Sequence, residues 1–264
     1  MTLPGAPEHG ERFSAGAARY AEARPDYPAG LIGDLVRTIL AGPPGLVIDV
    51  GSGTGIFTRQ LRAALPADVD LVGIEPSAAM RAQATARPTQ PSIAFKAGAA
   101  EALPVEDRAA RAVTAATAAH WFERTRFYAE AARVLAGDGL LAIVEYIRDE
   151  TAPAPAVATA FLGRHGSPRG NSRPNYQAEL SCLSAFANVS EASERVVLSL
   201  EPSAFTELVL SSSYARGALD TLGEDEARRI LLAEARDLIG RDGLVPYPYV
   251  FRCFTARRRD WGDI

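Results

Sequence analysis

Three glycines alternate with small polar residues directly after a short apolar stretch of the chain. The stretch covers positions 46–50, and the glycines are Gly51, Gly53 and Gly55. Glycine permits positive φ angles and close approach of the backbone, and the free amides at the start of a following helix attract polar ligand groups. A strand, a turn of this kind and a helix together predict a binding loop for a nucleotide-sized ligand.

The glycine spacing and one nearby carboxylate narrow the choice of ligand. In the dinucleotide fingerprint GxGxxG the third glycine would stand at position 56, where this chain has Ile56. Asp49 lies two residues before Gly51, where its charge would repel a pyrophosphate but attract a cationic sulfonium amino acid. These two features favour S-adenosylmethionine over NAD as the cofactor.

A second carboxylate, Glu75, ends the next apolar stretch, twenty residues after Gly55. A carboxylate at that strand end can accept hydrogen bonds from both hydroxyls of a ribose, a role common to NAD and S-adenosylmethionine sites. Glu75 alone therefore does not separate the two cofactors. The alternative for Glu75 is a solvated strand end, and the alternative for the glycines is a tight turn without a ligand.

The surrounding chain alternates between strand and helix patterns, which predicts a parallel sheet with helices on both faces. Two prolines beside the last apolar segment suit an edge strand or an antiparallel partner. Strands are predicted at 46–50, 69–74, 93–95, 112–116, 140–144, 195–200 and 247–256, and helices at 28–40, after Gly55, and at 77–87, 123–135, 156–162, 176–187, 202–212 and 224–240.

Composition limits the function classes. The 264 residues are 47% hydrophobic and carry a net charge of −4, which excludes a disordered chain and argues against a nucleic-acid partner. Cys182 and Cys253 form no CxxC pattern, so neither a zinc cluster nor a disulfide framework is predicted, and no metal site is expected. Because no apolar leader and no long apolar run is present, we expect a cytoplasmic protein without a membrane partner.

Four segments in order resemble the class I S-adenosylmethionine-dependent methyltransferases: VIDVGSGTG (47–55), GIEPSAAM (73–80), AGAAEALP (97–104) and RVLAGDGLL (133–141). Three more, RYAEARPDYP (19–28), AAHWF (118–122) and LSSSYARG (210–217), resemble the type-11 small-molecule group that includes trans-aconitate methyltransferase-like enzymes. The resemblance implies an α/β fold: a Rossmann-like, seven-stranded, mostly parallel sheet with an antiparallel final strand and a helical cap or insertion. One domain over 1–264 is expected.

The resemblance implies a set of cofactor contacts. Asp49 and the glycines would frame the methionine part, and Thr117 would offer a backbone contact to the methionine amine. Many relatives have Asp where this chain has Ala99, so that contact to the adenine amino group is missing and Glu101 is the candidate to replace it. The residues expected to bind S-adenosylmethionine are Asp49, Gly51, Ser52, Gly53, Thr54, Gly55, Glu75, Pro76, Met80, Ala100, Glu101 and Thr117.

Candidate acceptor residues come from two segments. His120 follows the fourth predicted strand and is the candidate catalytic base, because histidine titrates near neutral pH; the alternative is a structural histidine bonded to the backbone. Trp121 is a candidate acceptor platform or a core residue. The resemblance places Tyr20, Arg24 and Tyr27 in a lid over about 13–42, with Tyr20 and Arg24 as the candidates for binding the substrate.

An insertion is expected at about 150–190, where prolines interrupt two short helical patterns. Its arginines, Arg164, Arg169 and Arg173, are candidates for binding an acidic acceptor through charge-assisted hydrogen bonds. The alternative is that they are solvated loop charges.

The function expected is methyl transfer to a small molecule, as O-methylation of a hydroxyl or a carboxylate in secondary metabolism. A hydroxyl acceptor must lose a proton, whereas a carboxylate is already ionised near neutral pH. N- or C-methylation and a non-catalytic S-adenosylmethionine-binding module are the alternatives. A nucleic-acid methyltransferase is disfavoured because positions 118–121 read AAHW rather than [DN]PP[FY], and an NAD oxidoreductase is disfavoured by Ile56 and Asp49.

Overall fold

The structure is a computed structural model that describes residues 25–166 and 173–260. Seven strands form one sheet. The strands are β1 (Leu46–Val50), β2 (Leu71–Ile74), β3 (Ala94–Lys96), β4 (Ala110–Ala116), β5 (Leu135–Arg148), β6 (Phe186–Leu200) and β7 (Val245–Arg258). The helices are α1 (Ala29–Leu40), α2 (Ile56–Ala64), α3 (Ala78–Thr85), α4 (Arg124–Val134), α5 (Pro153–His165), α6 (Tyr176–Ser181), α7 (Pro202–Leu210), α8 (Arg216–Leu222) and α9 (Glu224–Arg236).

The strand order is β3-β2-β1-β4-β5-β7-β6. β1 pairs in parallel with β2 and β4, β2 pairs in parallel with β3, and β4 pairs in parallel with β5. The last strands are antiparallel. Accordingly, the N–H of Asp149, after the end of β5, donates to the carbonyl of Pro248 near the start of β7, and the N–H of Arg259 donates to the carbonyl of Ala185. The predicted Rossmann-like fold is confirmed.

The described chain forms two compact units. The sheet unit contains residues 26–146, 173–194 and 250–260, with α1 to α4 and α6. The helical unit contains residues 147–166 and 195–249, with α5, α7, α8 and α9. Of the insertion predicted at about 150–190, α5 lies in the helical unit and α6 in the sheet unit.

The core of the sheet unit holds the central strands in place. Ile48 of β1, Val113 of β4 and Ile143 of β5 are buried in one cluster with Phe127 and Val134 of α4. The α4 residues repeat at a spacing typical of one buried helix face. This packing fixes the carboxyl ends of β1, β4 and β5 relative to one another.

β5 begins at Leu135, five residues before the strand predicted at 140–144, and contains a bulge at 137–139. Ala110 of β4 pairs with Leu135, but Ala112 pairs with Leu140, so β5 gains extra residues between these partners. Asp138 within the bulge has a φ of +60°. Glycines on either side tolerate the irregular backbone, which is the same signal that a turn would give.

The helix predicted at 176–187 is wrong beyond Ser181. The side chain of Asn175 caps α6 by accepting from the N–H of Ala178, and Cys182 ends the helix after six residues. β6 then begins at Phe186, nine residues before the strand predicted at 195–200. β6 is an edge strand with exposed residues on much of its length, so its first half lacks the apolar alternation that identifies a half-buried strand.

Candidate functional site

The candidate site lies where the strand order reverses. From β1 the chain adds β2 and β3 on one side, and then returns to add β4 and β5 on the other side. In open parallel sheets, ligands bind outside the carboxyl ends of the strands at such a switch point. Asp49 in β1 lies at this point and is the direct register partner of Thr114 in β4.

The glycine loop adopts the positive φ angles expected from its sequence. Gly51, Gly53 and Gly55 have φ values of +68°, +54° and +79°. A Cβ atom on Gly51 would lie 2.6 Å from Cβ of Ala118, so the loop and the turn after β4 are in close contact. Around Gly53 the nearest atom to such a Cβ would be Sδ of Met80 at 4.0 Å, so the space beside Gly53 is open.

Glu75, directly after β2, is fixed by backbone amides. Its Oε2 accepts from the N–H of Gly53 at 3.0 Å, and its Oε1 accepts from the N–H of Ser77 at 2.9 Å. The side chain is only 6% exposed. The two bonds hold the carboxylate against the glycine loop in a single orientation.

Asp49 is a buried carboxylate held by two threonine hydroxyls. Thr58 of α2 donates to Oδ2 at 2.5 Å, and Thr114 of β4 donates to Oδ1 at 3.1 Å. Asp49 is 1% exposed, and its pKa is raised to about 7, mainly by burial and to a smaller extent by the charge of Glu75, against the lowering effect of the two hydroxyl bonds. An ionised Asp49 therefore carries a large desolvation cost unless a positive charge comes close.

The two carboxylates make the site suitable for a cationic ligand. Within 25–166 and 173–260, neither Asp49 nor Glu75 forms a salt bridge with a basic side chain. S-adenosylmethionine carries an ammonium group, a sulfonium group and ribose hydroxyl donors. The acceptor oxygens of Asp49 and Glu75 match that donor set.

Thr117 follows β4 and has a φ of +50°, which is rare for a β-branched residue. Its N–H donates to the carbonyl of Val144 at 2.7 Å, and its Oγ1 is 2.8 Å from the hydroxyl oxygen of Tyr27. Strained backbone of this kind persists where surrounding contacts over-determine it, and it concentrates at functional sites. Thr117 is thus a candidate site residue on its conformation alone.

Tyr27 lies in the segment expected to form the lid, but its contact with Thr117 was not predicted from the sequence. Its N–H donates to Oε1 of Gln60, and Nε2 of Gln60 donates back to its carbonyl, at 3.1 and 3.2 Å. Its ring meets Phe57 edge-on with 4.9 Å between centroids. Tyr27 lies in the segment RYAEARPDYP, so the motif was visible, but the contact with Thr117 spans ninety positions.

Thr58 and Thr114 were also missed. Each interrupts an otherwise apolar or small-residue surface, Thr58 beside Phe57 and Leu61 of α2, and Thr114 within β4. A polar residue at a buried position needs a hydrogen-bond partner. That rule could have identified both threonines from the sequence, but not Asp49 as the partner that they share.

The candidate base and platform lie in a 3-10 turn after β4, Ala119–Trp121. The rings of His120 and Trp121 are 4.9 Å apart between centroids. Trp121 is 57% exposed, whereas the neighbouring Phe122 packs against the core of the sheet unit. Because Ala118 contacts Gly51, this turn borders the glycine loop, but the roles of His120 and Trp121 stay predictions.

Residues expected near the adenine lie around β2 and after β3. Met80 is half-buried beside Gly53, and Pro76 is exposed. Ala100 is buried, and Oε1 of Glu101 accepts from the N–H of Glu123 at 2.8 Å. Glu101 is thereby tied to the start of α4, and its contact with adenine stays a prediction.

Ser52 and Thr54 complete the loop between the glycines. The hydroxyl of Ser52 is buried and has no hydrogen-bond partner among the described residues. The carbonyl of Thr54 accepts from the guanidinium group of Arg59 at 2.7 Å. Arg59 also donates to the carbonyl of Ala84, so it links the loop to the end of α3.

Of the expected acceptor arginines and lid residues, the structure describes Arg164, Arg173 and Tyr27. Tyr20, Arg24 and Arg169 lie outside the described residues. Arg164 pairs with Glu234 at 2.6 Å within the helical unit, and Arg173 pairs with the buried Glu145 at 3.3 Å within the sheet unit. Arg164 and Arg173 thus each form an ion pair with a glutamate of their own unit.

The described residues contain neither a metal-binding cluster nor a membrane-spanning helix. No group of three or more histidine, cysteine, aspartate or glutamate side chains in that part of the chain is arranged to hold a metal ion. None of the helices between 25 and 166 or between 173 and 260 is long and apolar enough to span a bilayer.

Known proteins resemble this chain over the region just described. A family described as "Methyltransferase domain" matches residues 48–143. An uncharacterized methyltransferase, Mb3374 of Mycobacterium bovis, is 29% identical over 92% of this chain and 94% of its own length. An uncharacterized methyltransferase-like protein of Schizosaccharomyces pombe, C25B8.10, is 31% identical over 58% of either chain. In each pair the shares covered are nearly equal, so both relatives are close to this chain in length.

Two further proteins extend the comparison. The malonyl-[acyl-carrier protein] O-methyltransferase of Methylococcus capsulatus is 33% identical over 50% of this chain and 49% of its own length. Among solved structures, a protein of Anaeromyxobacter dehalogenans assigned to the type II methyltransferases aligns with a TM-score of 0.67 at 20% identity, over 89% of this chain and 97% of that protein. The structural likeness supports the fold.

Proposed function

Because the chain belongs to the class I S-adenosylmethionine-dependent methyltransferases, we propose that it transfers a methyl group to an oxygen of a small-molecule acceptor, either a carboxylate or a hydroxyl. The observation that carries the site assignment is a pair of buried carboxylates: Glu75, which accepts from the N–H of Gly53, and Asp49, which lies where the strand order reverses. The family alone does not identify the acceptor.

S-adenosylmethionine, when bound, supplies a methyl carbon that its sulfonium group activates. Glu75 accepts hydrogen bonds from ligand hydroxyls with an orientation already fixed by the amides of Gly53 and Ser77. Asp49 contributes negative charge at the methionine end of the cofactor. The backbone of Thr117 contacts the methionine amine. These residues bind and orient, and orientation of the reacting groups can supply a large part of the barrier reduction.

The acceptor atom determines whether the chain must also move a proton. A carboxylate acceptor is ionised at neutral pH and needs only to be held in line. A hydroxyl acceptor must lose its proton, and His120 is then the residue that takes the proton at an imidazole nitrogen. Trp121 offers an exposed aromatic face beside His120 for an apolar part of the acceptor.

Oxygen as the acceptor atom is supported by one relative. The protein of Methylococcus capsulatus is named for O-methylation of malonyl-[acyl-carrier protein], which indicates a carboxylate acceptor for that enzyme. The match covers about half of either chain, so it supports the acceptor atom in our proposal rather than the acceptor molecule. We therefore include free dicarboxylic acids and malonyl-carrier protein among the compounds to test.

The experiment uses the whole chain with methyl-labelled S-adenosylmethionine and separate pools of carboxylic acids, phenols and amines. Labelled product is then exposed to mild base, which cleaves methyl esters but not ethers or methylamines. Release of label means carboxylate methylation, and retention with a phenol pool means hydroxyl methylation. Label found only in the amine pool overturns O-methylation.

A binding measurement distinguishes an enzyme from a non-catalytic cofactor-binding module. If S-adenosylhomocysteine binds by calorimetry but no pool yields labelled product, a non-catalytic cofactor-binding module is the better description. Glu75→Ala is the matched negative control for binding, because it removes the carboxylate fixed between Gly53 and Ser77.

A further inference from the structure

Two threonines from different elements donate to the same buried carboxylate. Thr58 lies in the first turn of α2 and donates to one oxygen of Asp49, while Thr114 in β4 donates to the other oxygen. Both threonines are fully buried. Each carboxylate oxygen is thus held from a separate direction, and the plane of the carboxylate is fixed.

The register of the sheet explains why the two hydroxyls converge. Asp49 and Thr114 are direct partners across the β1–β4 pair, so their side chains leave the sheet on the same face. α2 follows the glycine loop and brings Thr58 over that face, nine positions after Asp49. The hydroxyl of Thr114 is also 3.2 Å from the carbonyl of Ile48, so its single proton is shared between two acceptors.

Charged groups on the elements around Asp49 do not neutralise it. Glu75, after β2, acts on Asp49 through its negative charge. Arg59 and Arg62 of α2 donate to backbone carbonyls, those of Thr54 and Ala84 for Arg59 and those of Leu65, Pro66 and Val69 for Arg62. β4 faces Asp49 with the neutral Thr114.

We propose that Thr58 and Thr114 are positioning residues for the cofactor, which orient the Asp49 carboxylate so that it binds the amino group at the methionine end. This inference rests on the proposed cofactor site. The hydroxyls replace the water that would otherwise solvate the carboxylate. Because they leave it without a positive partner, the attraction for an ammonium group is retained.

The hydroxyls also favour the charged form of Asp49. Burial raises the pKa of Asp49, and both bonds act against that rise, so that the pKa lies at about 7 with the bonds in place. Removing either bond should therefore shift the protonation of Asp49 to a higher pH. Binding of a ligand ammonium requires the ionised form, so affinity should follow the same shift.

The experiment compares Thr58→Val, Thr58→Ser and Thr114→Val with the wild-type chain. Valine keeps the shape of threonine without the hydroxyl, and serine keeps the hydroxyl without the methyl group. Affinity for S-adenosylhomocysteine, which carries the amino group, is measured by calorimetry from pH 6 to 9, and affinity for adenosine, which lacks that group, is measured alongside.

We expect the valine variants to bind S-adenosylhomocysteine about ten-fold more weakly at pH 7, as for loss of a hydrogen bond to a charged group. The midpoint of affinity against pH should move upwards from about 7. Thr58→Ser should restore both values, and adenosine should bind all the variants equally. Thr206→Val is the matched control, because Thr206 is also fully buried but donates to the carbonyl of Pro202 in α7.

The outcomes separate this inference from the proposed function. If the wild-type chain does not bind S-adenosylhomocysteine, the cofactor site itself is wrong. If the wild type binds but both valine variants keep its affinity and pH midpoint, or lose adenosine affinity to the same extent, the positioning role is wrong. Should Thr58→Val fail to fold, Thr114→Val decides between these outcomes with the same measurements.

Discussion

The hydroxyl oxygen of Tyr27 lies 2.8 Å from Oγ1 of Thr117, a contact that joins the chain before α1 to the end of β4. Thr117 has a strained positive φ angle, so its position depends on the contacts that hold it. Two hydrogen-bond partners hold Thr117 in place: the carbonyl of Val144 and the hydroxyl of Tyr27.

Tyr27→Phe should therefore weaken cofactor binding. We expect KM for S-adenosylmethionine to rise about five-fold, corresponding to roughly 1 kcal/mol for a lost hydrogen bond, with kcat changed less. Tyr128→Phe is the control, because Tyr128 donates to Glu179 at 2.6 Å in the same unit. An equal rise of KM in both variants would point to general destabilisation instead.

Asp49→Asn tests the buried carboxylate through stability. The pKa of Asp49 in the folded chain, about 7, is higher than its unfolded value of 3.8. The folded state binds the proton more tightly, so the contribution of Asp49 to the free energy of unfolding falls as pH rises from about 4 to about 7. Without ligand, Asp49→Asn should be more stable than wild type at pH 8, by at most about 4 kcal/mol, and similar near pH 4.

Urea unfolding at pH 4.5, 6 and 8 measures this difference, since the other titrating groups are common to both chains. The same variant should bind S-adenosylhomocysteine poorly at pH 8. Parallel stability curves for variant and wild type would mean that Asp49 titrates normally.

Glu75→Gln should weaken cofactor affinity while leaving the fold intact. An amide can accept at one position only, so its NH2 group would face the N–H of either Gly53 or Ser77. We expect Kd for S-adenosylhomocysteine to rise ten- to a hundred-fold, corresponding to roughly 1–3 kcal/mol. Asp107→Asn, which removes one negative charge at an exposed position paired with Arg133, should leave Kd unchanged.

Gly51→Ala should mainly lower the stability of the fold, whereas Gly53→Ala should mainly lower cofactor affinity. A methyl group at Gly51 would collide with Ala118 and Phe122, so we expect a clear fall in melting temperature. A methyl group at Gly53 enters open space, so the fold should lose only about 1 kcal/mol from the positive φ while cofactor affinity falls. Gly243→Ala, with a φ of +83° and no neighbour within 4 Å, is the control for strain alone.

His120→Gln tests the proton-transfer role. With a hydroxyl acceptor, kcat should fall about 10²- to 10⁴-fold if His120 is the base. With a carboxylate acceptor, kcat should change little, because no proton has to be removed. Steady-state kinetics at saturating cofactor provide both values, and a large loss with a carboxylate acceptor would assign His120 a binding role.

The sequence predicted the site best where a residue type is required for a single structural reason. Glycines at 51, 53 and 55 predicted the loop because few other residues adopt positive φ, and Glu75 was identified by its position at a strand end. The alternation of strands and helices predicted the sheet. These features are local, and local patterns can be interpreted without knowing which strands pair.

The contacts of Asp49 and Thr117 could not be predicted in the same way. Thr114 reaches Asp49 only because β4 pairs with β1 in one particular register, and Tyr27 reaches Thr117 from far along the chain. β6 escaped prediction over its first half because an edge strand leaves its residues exposed. Such features depend on pairing and position, which a single sequence does not state.

The pairing of β1 with β4 also affects how the protein acquires its site during folding. Asp49 and Thr114 are 65 positions apart, and parallel pairing across such a separation closes a long loop, which slows folding. A chain that has formed only α2 and β2 has its glycine loop but not the contact that fixes Asp49. During refolding, the cofactor should therefore protect from a protease only those molecules in which β1 and β4 have already paired.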